Sequence, residues 1–151
     1  MLATKPNLHT LVPSFSLLDL QGHKVSLWDY KHQQPVVLVV GDAHSDEALL
    51  RDFSRRYPEY GAEGAAVLVI VPKRPDQDGW PFPVLVDTDG RVTARLADRL
   101  PVILVLDSYN ELYARFEGPW PEGPNHRDIL ECIAQTELKC PECGVPEWPS
   151  P

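Results

Sequence analysis

Cysteine is missing from the first 131 of the 151 residues; the three present, Cys132, Cys140 and Cys143, crowd the C-terminal end. Three cysteines so placed make no disulfide framework. Basic residues are also scarce, with 14 Lys and Arg against 22 Asp and Glu and a formal net charge of −8. That balance argues against nucleic acid or an anionic membrane as partner. No apolar run approaches the roughly 18 residues of a membrane span. The first residues, "MLATKPNLHTLVPSF", lack the apolar centre of a secretory signal, so a cytoplasmic protein is expected. Proline, in contrast, occurs 16 times, concentrated at 72–83 and 119–151 where it marks loops and a tail.

What is present reads as one globular domain. Apolar residues make up 43% and charged residues 24%, which is ordinary for a soluble fold. A chain of this length buries roughly 68–70% of its unfolded surface and needs no staples. "VVLVV" at 36–40 and "AAVLVIV" at 65–71 are unbroken apolar runs, the pattern of parallel strands buried on both faces. Between them Leu49, Leu50, Phe53, Tyr57 and Tyr60 keep helical spacing. The helix has Ser45 as N-cap and Asp46 and Glu47 in its first turn; Pro58 is expected to kink or end it. Strand, helix and strand form a right-handed βαβ unit. Upstream, "FSLLDLQGHKVSL" reads as a hairpin around Gln21-Gly22. Downstream come a strand at 82–87, a short helix at 91–98, and an antiparallel hairpin of 102–107 and 112–117. A last helix at 125–139 has Asn125 as cap and Ile129, Leu130 and Ile133 on one face. The expected architecture is α/β, a central mixed sheet flanked by helices, with an N-terminal β-hairpin.

Three stretches then carry a likeness: "VPSFSLLDLQGHKVSLWDY", "FPVLVDTDGRVTARL" and "RLPVILVLDSYNELYARFEG". In order and spacing they resemble the redoxin and peroxiredoxin (AhpC/TSA-type) branch of the thioredoxin fold, over roughly residues 10–138. The resemblance implies a thioredoxin-like domain at 1–138, followed by a Pro-rich tail at 139–151. It also implies that the working cysteine belongs in the loop and helix start at Ala43, His44, Ser45 and Asp46. A helix N-terminus there would lower a thiol pKa. None of these residues is cysteine, and a serine hydroxyl is not appreciably ionised at neutral pH. Two readings of the loop stay open: an ordinary capped helix start, or an acid–base or ligand pair of His44 and Asp46. The resemblance further places a cis-proline at Pro101, beside the site. Arg99 either points into that cleft or ends the short helix.

The tail carries Cys140-Pro-Glu-Cys143. A Cys-x-x-Cys pair fits a redox dithiol, with Cys132 as a resolving thiol. It equally fits half of a zinc site. Cys132 and His126, or the knuckle of a second chain on a two-fold axis, would supply the missing ligands. It also fits an idle reduced pair. Cys132 lies off the apolar stripe of its helix and is expected to be half exposed. Two functions of different classes follow. One is a thiol–disulfide oxidoreductase or antioxidant acting through the C-terminal cysteines on a protein partner. The other is a catalytically degenerate binding or structural protein, with zinc at Cys140 and Cys143 joining a homodimer. Neither requires a cofactor other than that zinc.

Overall fold

A computed structural model describes residues 8–42 and 46–138. Its centre is the apolar run Val36–Val40 (β3), fully buried along its whole length. β3 pairs in parallel with β4 (Ala66–Val71) on one side and antiparallel with β6 (Val102–Leu106) on the other. β5 (Val84–Val86) and β7 (Leu112–Glu117) complete a five-stranded sheet in the order β5-β4-β3-β6-β7. β1 (Ser16–Leu18) and β2 (Lys24–Ser26) form a separate two-stranded hairpin. The Asp19 carboxylate holds the turn by accepting the Gln21 and His23 N–H groups at 2.9 and 2.8 Å. Leu27–Tyr30 then makes one 3-10 turn, in which the Asp29 carboxylate accepts the Ser26 N–H at 3.1 Å.

Alternation along each strand sends side chains to opposite faces. Val37, Val39, Val67, Val69, Ile103 and Val105 meet α1 (Asp46–Ala62) and α3 (His126–Leu138) on one face. Leu38, Leu68, Ile70 and Leu104 meet Phe15, Leu27 and α2 (Arg91–Leu96) on the other. Fully burying a side chain such as Leu50 or Phe53 is worth about 1.5–3 kcal/mol. The fold is therefore the mixed, helix-flanked sheet with an N-terminal hairpin that the run pattern predicts. Among the described residues no helix is long and apolar enough to cross a membrane.

Element ends differ from expectation for local reasons. The strand expected at 82–87 shortens to Val84–Val86, since Pro83 has no N–H to give to a ladder. The strand expected to reach Asp107 stops at Leu106, because the Asp107 carboxylate turns back to accept the Tyr109 and Glu111 N–H groups at 2.9 and 3.0 Å. The short helix ends at Leu96, not residue 98, ahead of Pro101, which biases Leu100 away from helix. Of the two outcomes expected at Pro58, termination does not occur: the proline lies inside α1, with the helix continuing to Ala62. Tertiary packing overrides the lost N–H: Tyr60, beyond the proline, is fully buried and hydrogen-bonded to α3. Asn125 caps α3 as expected, its Oδ1 accepting the Asp128 N–H at 3.2 Å.

Candidate functional site

Where α1 and α3 meet, three polar side chains form a chain through the core. Asp52 comes from α1, His126 from the first position of α3 and Tyr60 from the last turns of α1. Asp52 Oδ2 lies 2.6 Å from His126 Nε2, and His126 Nδ1 lies 2.8 Å from Tyr60 Oη. An ionised carboxylate only accepts, so Nε2 carries a proton and donates it to Asp52. With the ring neutral, the Tyr60 hydroxyl donates to Nδ1. The His126 ring is clamped edge-on by Phe53 at 4.8 Å and Tyr60 at 5.8 Å between centroids. Burial pushes the Tyr60 hydroxyl far above the usual phenol range; Arg56 opposes the shift, while Glu59 and Asp52 add to it.

Asp52 is the only member of the chain at the surface, 17% exposed against 5% for His126. Its Oδ1 accepts from Arg55 Nη2 at 2.7 Å. Here it forms part of the lining of a groove of about 340 Å³, within the usual range for small-ligand pockets. One wall is α1, with Arg51 and Arg55 one turn apart; the other is the loop after β7, with Pro119, Trp120, Pro121 and Pro124; Pro101 closes it. Two glycines let that loop come close. A Cβ on Gly118 would meet Pro101 Cγ at 2.9 Å and the Trp120 ring at 3.0 Å. Gly123 has a φ of +88°, and a Cβ there would meet Asp52 Oδ2 at 3.2 Å. The Leu100–Pro101 and Gly118–Pro119 bonds are both cis. A more open concavity of about 680 Å³ lies between the hairpin and the end of β5. Asp19 and Asp87 line it, but both carboxylates serve the fold, Asp87 accepting the Thr93 N–H at 2.7 Å.

The residues expected to do chemistry fare unequally. Pro101 lies in the groove. Arg99 is exposed and does not line it. Ala43, His44 and Ser45 lie outside the described residues, as do Cys140 and Cys143; Asp46 opens α1. Cys132 is half-buried against the α1–α3 core, and burial, then Asp128 and Glu131, push its thiol pKa up. His126 is unsuited to the zinc role considered for it. It is buried, and both of its ring nitrogens are engaged. Among the described residues no three His, Cys, Asp or Glu side chains converge to hold a metal ion. Sequence reasoning passed over Asp52, Tyr60 and the second proline wall. The one available signal was the Gly- and Pro-dense "GPWPEGP" at 118–124.

Cys132, Tyr60 and Tyr30 all hold their protons more tightly in the folded chain than in an unfolded one, with burial the largest cause for each. Their contribution to stability is whole below the unfolded-state values and lost as pH rises toward the folded-state ones. Stability should therefore decline from about pH 8.5 and more steeply above about pH 10. Thermal unfolding followed from neutral pH to about pH 11 checks this. Tyr60→Phe should flatten the upper part of the curve, and a midpoint constant across the range would refute the account.

A model of the AhpC/TSA family matches residues 8–114. That span includes α1 and Pro101 but ends before the 118–124 loop and His126. Among solved structures, the reduced 2-Cys peroxiredoxin of Plasmodium vivax superposes with a TM-score of 0.75 at 11% identity, over 87% of this chain and 82% of that one. Peroxidoxin BcpB of Mycobacterium tuberculosis gives 0.73 at 17% identity, over 86% and 97%. The mitochondrial 2-Cys peroxiredoxin of Plasmodium falciparum gives 0.72 at 14% identity, over 91% and 98%. At these identities the structures speak for the fold.

Proposed function

The chain belongs to the AhpC/TSA family, and from that premise we propose that it is a redoxin-fold binding protein, not a peroxide reductase. One observation carries the reading: residues 1–131 contain no thiol, while the groove beside Pro101 is walled by Arg51, Arg55, Trp120 and prolines. Such walls hold a ligand and supply no nucleophile. Asp52 in the groove lining is held from behind by the His126–Tyr60 hydrogen bonds, and a wall held in place beforehand lowers the cost of binding. The partner this favours is a protein segment laid along the groove.

The test is peroxide consumption by purified protein, alongside reduction of an insulin disulfide. Hydrogen peroxide turnover is expected at the rate of the protein-free control. Turnover that survives replacement of Cys132, Cys140 and Cys143 together would defeat the cysteine-based argument altogether.

A second reading rests on the spacing of Cys140 and Cys143, two residues apart as in dithiol and zinc sites. In it the pair exchanges disulfides with a protein partner, or holds zinc between two copies of the chain. Acidic side chains close to a thiol slow its attack on a disulfide, so Glu137, Glu142 and Glu147, near the pair in sequence, favour a stable pair over a fast catalyst. Insulin reduction that is lost in Cys140→Ser supports the redox form. Thiols that react only after chelation support the metal form.

A further inference from the structure

We propose that the groove between α1 and the 118–124 loop takes the chain's own C-terminal segment, residues 139–151, with Trp148 against the proline wall and Glu147 at Arg51 and Arg55. This deepens the binding reading by naming the occupant.

Reach permits it. α3 begins at the groove, where His126 bonds Asp52, and ends at Leu138, about 18 Å away along its axis. Trp148 lies ten residue steps beyond Leu138, and an extended chain of that length spans up to about 33–36 Å. The segment can therefore turn back along α3 with length to spare.

Chemistry favours it. "VPEWPSP" at 145–151 offers one large aromatic flanked by an acid and by prolines. Proline fixes one backbone angle at each of its positions, so a segment rich in it has less conformational freedom to lose on docking. Trp148 would meet Pro101, Pro119 and Trp120, surfaces whose own freedom is already spent. Arg51 and Arg55 are 57% and 73% exposed, and each is shown with one carboxylate, Glu47 at 3.3 Å and Asp52 at 2.7 Å. A guanidinium has five donors, so both retain N–H groups for a further carboxylate. Asp52 is shared with His126, which leaves Arg55 only partly compensated. Glu122, on the opposite rim, repels an acid there and orients Glu147 toward α1.

The experiment is paramagnetic relaxation enhancement on the full chain. A nitroxide is attached at Ser150→Cys after Cys132, Cys140 and Cys143 are changed to serine. Strong loss of intensity is expected for the Arg51, Asp52 and Arg55 amides and the Trp120 indole. Arg51→Glu with Arg55→Glu, and separately Trp148→Ala, should restore those signals. Broadening confined to the end of α3, or elsewhere on the surface, would overturn the proposal. Broadening seen only when labelled and isotope-enriched chains are mixed would assign the groove to a second copy and overturn it too. The labelled chain retains no native thiol, so docking is read independently of thiol chemistry. Peroxide turnover at the family position would instead remove the binding reading and leave this measurement standing.

Discussion

His126→Ala should destabilise the protein by about 3–4 kcal/mol, since it leaves the buried Tyr60 hydroxyl unsatisfied, takes the donor from half-buried Asp52 and opens a cavity where the ring was. The Tyr60 hydroxyl, in a fully buried residue, loses the imidazole it bonds at 2.8 Å, and Asp52 Oδ2 loses its donor at 2.6 Å. Water cannot easily replace the imidazole, which is clamped between Phe53 and Tyr60. The midpoint of thermal unfolding should fall by roughly 10 °C. Tyr60→Phe removes only the hydroxyl and should cost about 1–2 kcal/mol. Asp52→Asn keeps an oxygen that can accept from Nε2 and gives up mainly the exposed pairing with Arg55, worth about 1 kcal/mol or less. Urea unfolding of the three variants tests the ranking. If His126→Ala fell within about 1 kcal/mol of the parent, the hydrogen-bonded chain would not be holding α1 to α3.

Phe53→Ala should cost about 3–5 kcal/mol, the range for removing a fully buried ring. Phe53 has no exposed surface and packs 5.4 Å from the Tyr60 ring and 4.8 Å from His126, centroid to centroid. It joins the polar chain to the Val37, Val39 and Ile103 face of the sheet. Because Phe53 and His126 touch, their alanine variants should not add. The double variant is expected to lose less than the sum, since the two cavities merge and the rest of the site can collapse into them. Arg51→Ala is the control, and a change within about 0.5 kcal/mol is expected. Strict additivity in the double variant would mean that the ring and the imidazole are energetically separate.

The fold was largely legible because its signals are local. The runs at 36–40, 66–71 and 102–106 are unbroken and rich in Val and Ile, and each is a strand. Asn125, Gly90 and the Gln21-Gly22 turn mark ends that a sequence window of a few residues can reveal. Pro58 does not end α1 because the force that keeps the helix going comes from α3, 66 residues away at the Tyr60–His126 bond. The groove was half legible for the same reason. Pro101 was found through family likeness, but Asp52 reads in sequence as an ordinary surface partner of Arg55. Its second contact lies 74 residues downstream. The polar chain has no spacing rule of its own, since its members meet only after the two helices have packed.

The segment before the hairpin has one further consequence. His9 N–H bonds Leu112 O at 2.6 Å, Leu112 N–H bonds Thr10 O at 2.9 Å, and Val12 N–H bonds Asn110 O at 2.8 Å. Those bonds occupy the outer edge of β7 at its first residue, and β7 is the last strand on its side of the sheet. Open sheet edges template sticking between molecules, so residues 8–12 act as a shield against that hazard. A protease nick that peeled them away would uncover that edge and also take Val12, 4% exposed, out of the core, leaving the protein both less stable and prone to aggregate.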